Sequence, residues 1–227
     1  MDPLNSTFSH QSFRDLANEY QKLAHETAVY GKGIVYPITA LAEEAMEFLG
    51  ECSLRKEQRS RGEGILEPTL MRSNLVKEAG DVYWNLAEMC TRFGYRFGDM
   101  LDDAAQFYMK ATAVQDTTSD EKLSYFISGV KDIQSIFTKW IRKHDGRVPT
   151  PKQMKDSIDK YTIQRVINQL TWYLGSEAVE ELNIPIFYPT TADRILSVLN
   201  VNLKKLGERK RNNTLGGKGS VERDPEE

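Results

Sequence analysis

The sequence predicts an all-α protein of the four-helix-bundle type, built as a tandem duplication whose second copy is degenerate. Three observations predict it. Apolar residues recur at spacings of three and four through most of the chain. No segment alternates apolar and polar residues in the manner of a strand. The lengths and order of the helical stretches repeat after a polar linker between Gln115 and Glu121.

The first helix is read from Phe13, Leu16, Ala17, Tyr20, Leu23, Ala24, Thr27 and Ala28, with Ser12 and Asp15 spaced as a capping pair and Gly31 or Gly33 as its end. A second helix starts after Pro37, a residue suited to a first turn, and runs to about Gly50 or a little beyond. The polar stretch from Arg55 to Ser73, with Gly62, Gly64 and Pro68, reads as a loop. The third helix, Asn74 to Phe93, is closed by Gly94. A weaker pattern covers Phe97 to Ala113. Beyond the linker come helices from Leu123 to about Lys143, from Ile163 to Leu182 and from Asp193 to Arg209, with a Gly/Pro loop between Asp145 and Pro151. The units are therefore 1–112, a first module; 113–122, a linker; 123–210, a second module; and 211–227, a basic glycine-containing tail.

Aligning Trp84 with Trp172 places Val166 at Glu78 and Gln169 at Asp81. A parallel alignment places Gly129 at Glu44 and Asp132 at Glu47. Only the first copy would have kept its full set of four acids.

Composition narrows the function classes. Thirty Lys and Arg against 33 Asp and Glu give a net charge of -3, with no broad basic field for nucleic acid. Cys52 and Cys90 lack any metal-ligand or disulfide spacing and suit a reducing cytosol. No apolar run reaches membrane length, and Met1 to Ser12 is unlike a signal segment, so a cytoplasmic protein is expected.

Acid pairs three residues apart are common by chance, and Asp99/Asp102, Asp156/Asp159, Glu177/Glu180 and Asp224/Glu227 are read as ordinary solvated pairs. Helical phase separates two others from them. Ile38, Leu41, Ala42, Ala45, Phe48 and Leu49 form one apolar arc, and Glu44, Glu47 and Glu51 line its edge. In the next helix Leu75, Val76, Ala79, Val82, Tyr83, Leu86 and Cys90 form the arc, and Glu78, Asp81 and Asn85 line the same edge. Antiparallel packing through these arcs brings Glu44, Glu47, Glu78 and Asp81 together. Such acids repel unless a cation sits between them, and oxygen ligands without His or Cys select Mg²⁺, with Mn²⁺ as a substitute. No histidine follows a Glu by three residues, which disfavours a di-iron bundle. Trp84 falls on the opposite side from the acid edge and is expected to pack on the other copy or a second subunit. Gly31-Lys32-Gly33 is a turn and not a P-loop.

The motifs EExxE, present as Glu43-Glu44-Ala45-Met46-Glu47, and ExxD, present as Glu78-Ala79-Gly80-Asp81, resemble the signature of the all-α nucleoside triphosphate pyrophosphohydrolases, the superfamily of MazG-like proteins and dimeric dUTPases. Tyr20-Gln21 with Thr27 and Tyr30, GDVYWNLA around Asp81, and Asn202, Lys205, Leu206 and Arg209 near the end extend the likeness over residues 13–112 and 193–223. The resemblance implies Mg²⁺ on Glu44, Glu47, Glu78 and Asp81, and a proton acceptor in Glu47 or Glu43. It also implies nucleotide contacts from Asn85, Asn202, Lys205 and Arg209. A nucleoside triphosphate would be cleaved to monophosphate and pyrophosphate, by a monomeric pseudo-dimer or a homodimer. Phosphoribosyl-ATP is an alternative substrate, and a non-catalytic nucleotide-binding or partner-bridging module is an alternative class.

Overall fold

The computed structural model describes residues 12–62, 68–114, 118–181 and 191–212, and all their regular structure is helical. The elements are α1 (Phe13–His25), α2 (Val35–Ser60), α3 (Pro68–Phe93), α4 (Phe97–Val114), α5 (Ser119–Lys143), α6 (Pro151–Ser157), α7 (Lys160–Glu181) and α8 (Thr191–Arg211). Among the described residues no helix is long and apolar enough to cross a membrane.

Local chemistry sets the ends of these helices. The Ser12 hydroxyl accepts from the Asp15 amide and donates to its carboxylate, at 3.3 and 2.7 Å, so the predicted cap starts α1. Gly94 ends α3 with φ of 69°, a conformation that costs glycine little. The segment Arg55–Ser73 departs from its predicted loop. Its first residues extend α2 to Ser60 and its last belong to α3 from Pro68. Arg, Lys, Glu and Gln are good helix formers when solvated, and an apolar period is not needed to continue a helix already nucleated and packed. Polarity alone does not separate a solvated helix from a loop. Two capping boxes were also missed: Thr118 with Glu121 starts α5 four residues before the predicted Leu123, and Thr150 with Gln153 starts the unpredicted α6. The glycines at 216, 217 and 219 and most of the basic tail lie outside the described residues.

Helices α2 and α3 pack along each other, as do α5 and α7, and the pairs join through α2–α5 and α3–α7 contacts into a four-helix core. Phe48 of α2, Phe126 of α5 and Tyr173 of α7 meet at the junction with ring centroids 5.2 to 6.0 Å apart. Helix α1 crosses α3 and α4, and α8 lies against α1 and α3. That arrangement brings two further elements, α1 and α8, to the acid edge of α2–α3.

Candidate functional site

Glu44 and Glu47 of α2 and Glu78 of α3 present carboxylate oxygens within 4.8 Å of one another. The apolar arcs are responsible. Ile38, Leu41, Ala45 and Phe48 on α2, and Leu75, Ala79, Val82 and Leu86 on α3, are buried, which turns the acid edge of each helix to the groove between them. Glu44 and Glu78 are half-buried and Glu47 is exposed. Burial, followed by the charges of Asp81 and Glu47, pushes the Glu44 carboxyl up to about 7. Glu78 also rises to about 7, chiefly by burial, with Lys205 opposing and Asp81 and Glu47 adding to the rise. Hard oxygen donors crowded enough to raise each other's proton affinity fit a small divalent cation.

Asp81 stands beside this trio in a different bonding state. Its Oδ1 accepts from Asn202 Nδ2 at 2.7 Å, and its Oδ2 is held by the Lys205 ammonium, both donors coming from α8. Asn202 is fully buried, and its Oδ1 accepts from the Tyr20 hydroxyl of α1 at 3.0 Å. Both ends of the Asn202 amide are thus spent inside the protein. It positions Asp81 and has no surface with which to meet a substrate, in contrast to the nucleotide contact expected of it. Gly80 permits this approach, since a Cβ there would lie 2.7 Å from Asn202 Cβ.

A small pocket of about 80 Å³ opens next to the acids, lined among others by Tyr30, Tyr36, Glu44, Asp81, Trp84, Asn85 and Arg209. Trp84 takes a place that helical phase alone did not predict. Its Nε1 donates to Ala24 O and Thr27 Oγ1 at 3.2 and 3.1 Å, so it packs under the end of α1 and not on the second helix pair. The loop after α1 then folds Tyr30 onto Tyr36 with centroids 4.0 Å apart, and both rings meet Trp84 edge-on at 5.8 and 6.4 Å. Behind this wall the wholly buried Glu88 receives His25 Nδ1 at 2.9 Å and Arg92 at 2.6 Å, and the Arg92 guanidinium lies 5.8 Å from the Tyr30 ring centre. Tyr36, Glu88 and Arg92 were not singled out from the sequence. The spacing of Glu88 and Arg92 was a visible helical ion-pair signal, but burial of that pair was not visible.

Asn85 is 1% exposed; its Nδ2 donates to the Asp81 carbonyl at 3.0 Å, which fixes the amide orientation and leaves Oδ1 without a hydrogen-bond partner among the described residues. Arg209 and Leu206 bring α8 to the pocket. Glu43 is exposed and outside the trio, close enough to help raise the Tyr36 hydroxyl pKa after burial and Glu44. A larger cleft of about 470 Å³ between α5 and α6, lined by Trp140, Lys139, Lys143 and His144, contains none of the predicted site residues.

The corresponding place on α5–α7 is closed. A Cβ at Gly129 would lie 2.5 Å from Leu170 Cδ1 and 3.3 Å from Gln169 Oε1, Val166 is buried, and Asp132 pairs with Arg165 at 2.6 Å. Among the described residues, the acid trio lies on the first helix pair alone.

Comparison with known proteins adds no relative: no family model matches the chain, and no match is found among curated proteins or solved structures.

Proposed function

We propose that this protein is a Mg²⁺-dependent nucleoside triphosphate pyrophosphohydrolase that releases pyrophosphate and a nucleoside monophosphate. The observation that carries the reading is the juxtaposition of the Glu44, Glu47 and Glu78 carboxylates, from two helices, with an aromatic pocket lined by Asn85 and Arg209. An acid trio alone would be an unremarkable surface feature. Beside an aromatic wall and cations from α8, it supports a reading as a phosphate-anhydride hydrolysis site.

Glu44, Glu47, Glu78 and Asp81 would hold Mg²⁺, or Mn²⁺ in its place, and the ion when bound lowers the pKa of a coordinated water and offsets phosphate charge. The chain's own groups do the rest. Glu47, the exposed member of the trio, accepts the proton of the attacking water, with Glu43 one helical step before Glu44 as the second candidate. The water oxygen bonds to the α-phosphorus as the bond to the α–β bridging oxygen breaks, and that oxygen leaves with pyrophosphate. Tyr30, Tyr36 and Trp84 flank the base, and the unpartnered Asn85 Oδ1 takes a donor of the nucleoside. Arg209, at the pocket, meets the polyphosphate with Lys205. We further propose that α5–α7 supplies, within one chain, the second half of a pseudo-dimeric core, giving one active site per chain.

The test is a panel of ribo- and deoxynucleoside triphosphates assayed for pyrophosphate release with Mg²⁺ and with chelator. Release of pyrophosphate from at least one, abolished by chelator, is expected. Uniform inactivity, or orthophosphate as first product, overturns the assignment.

A further inference from the structure

We infer that Lys205 is a built-in counter-cation of the acid site, and that a divalent ion must displace its ammonium from Asp81, so that metal loading sets Lys205 free for the substrate's phosphates. The inference rests on the metal-site reading above and concerns the order in which that site fills.

Among the described residues, Asp81 is the one acid of the four with a hydrogen bond to each of its oxygens. Asn202 occupies Oδ1 and the Lys205 ammonium Oδ2, and the two side chains come from one face of α8, three residues apart. The Lys205–Asp81 contact is largely shielded, with 17% and 15% of the side chains exposed, so water screens it weakly. Lys205 also acts beyond Asp81, since its charge lowers the proton affinity of both Glu44 and Glu78. One ammonium thus offsets three of the acids at once.

The two ends of Asp81 differ in their freedom to change. Asn202 is fixed by the Tyr20 hydroxyl and by close contact with Gly80, so Oδ1 is permanently committed. Lys205 stands on a four-carbon stem near the end of α8, with Leu206 and Arg209 of the same turn facing the pocket. A divalent ion taking Oδ2 leaves the ammonium without its acid, and the nearest use for it is the anionic chain of a nucleotide at that pocket. Metal and Lys205 are therefore competitors for Oδ2, and metal and triphosphate are cooperative through Lys205.

Mn²⁺ binding to the nucleotide-free protein, measured by calorimetry and by the electron paramagnetic signal of free Mn²⁺, tests this without any turnover. Lys205→Met, which keeps the stem and removes the charge, is expected to bind Mn²⁺ about tenfold more tightly, a usual size for coupling between two sites. Lys205→Gln, a polar control for folding, should do the same. The competition runs chiefly through one carboxylate, so in an Asp81→Asn background, where only the weaker field of Lys205 on Glu44 and Glu78 remains, Lys205→Met should tighten Mn²⁺ binding by less than about twofold. Arg209→Met removes an equal charge from the pocket and should change it by less than about twofold. Equal tightening in the Asp81→Asn background, or from Arg209→Met, reduces Lys205 to a diffuse charge and overturns the inference, as does unchanged or weaker binding in both Lys205 variants. Wild-type protein that binds no Mn²⁺ would instead overturn the metal-site reading itself.

Discussion

The two helix pairs of the core, α2–α3 and α5–α7, pack side by side, yet one lines its groove with carboxylates and the other fills the aligned place with packed side chains. At the junction facing Glu44 and Glu78 the first pair carries half-buried carboxylates and an adjoining pocket. At the matching positions the second pair has Gly129 against Leu170 and Gln169, with Asp132 neutralised by Arg165. The lesson is that a four-helix core does not need the acid groove. A buried charge without a partner costs stability, and α5–α7 shows the same scaffold closing well without it. The three crowded glutamates on α2–α3 are the feature on which the proposed metal site rests.

The comparison breaks most decisively at the acids. Glu44→Gln or Glu78→Gln should lower pyrophosphate release by about a hundred- to a thousand-fold, as expected for removing one electrostatic contact to a transition state. Asp132→Asn, the acid that sequence alignment places at Glu47 in the second pair, should leave it within about twofold, since the carboxylate it removes is partly exposed and paired with Arg165. Equal losses at both places would mean that α5–α7 carries chemistry too. Steady-state rates with each variant, checked for helicity by circular dichroism, decide it.

Two glycines sharpen the contrast further. A Cβ at Gly80 meets Asn202 at its Cβ, which cannot swing aside without moving α8, whereas at Gly129 it meets the end of the Leu170 side chain. Gly80→Ala should therefore cost about 1–3 kcal/mol by overpacking and should lower activity as well, because Asn202 is pushed off Asp81. Gly129→Ala should be nearly neutral, since about 1 kcal/mol of helix propensity offsets a modest repacking of Leu170. Thermal melts compare the two, and the result that defeats this account is a Gly80→Ala protein that keeps both its melting temperature and its activity.

How far the sequence disclosed this difference depends on what kind of signal each residue leaves. The apolar arcs and the acid edges follow from helical phase, so the convergence of Glu44, Glu47 and Glu78 was legible before any coordinates. The Ser12 and Gly94 helix ends were legible for the same local reason. The engagement of Asp81 by Asn202 and Lys205 was not, because it joins residues 121 and 124 positions apart and depends on where α8 docks. Trp84 was misplaced because its surroundings are made by the α1 end and the loop carrying Tyr30, elements whose path no periodicity encodes. The polar end of α2 was misread because solvated charge is compatible with helix and with loop alike.

The aromatic wall gives a smaller effect than the acids. Tyr36 is 48% exposed and stacks on Tyr30, so Tyr36→Ala should remove one face of the base site while leaving the core intact. Loss of one base-stacking ring is worth about 1–3 kcal/mol, expected here as a rise in KM of about tenfold with kcat little changed. Trimming Tyr125, which stacks on Trp172 at 5.3 Å in the second half, should leave KM unaltered. A fall in kcat without a change in KM for Tyr36→Ala would place that ring in catalysis and not in binding.

The gentlest distinction between the helix pairs is in pH. Glu44 and Glu78 rise from an ordinary 4.5 to about 7 in the folded protein because burial, first of all, disfavours their charged forms. A raised carboxyl binds protons more tightly when folded, so its contribution to stability is complete below about 4.5 and is lost as pH climbs through about 7. Metal-free protein should accordingly lose melting temperature across that interval, and Glu44→Gln or Glu78→Gln should flatten the profile, because the amide carries no charge to bury. Asp132→Asn, in the pair without the groove, should leave the slope as it is. Added Mg²⁺ should act in the opposite sense, stabilising more as pH rises, since it binds the ionised carboxylates that free protein resists. A melting profile unchanged by Glu44→Gln, with or without Mg²⁺, would show that the crowding of these acids carries no energetic cost and that the two helix pairs differ in shape alone.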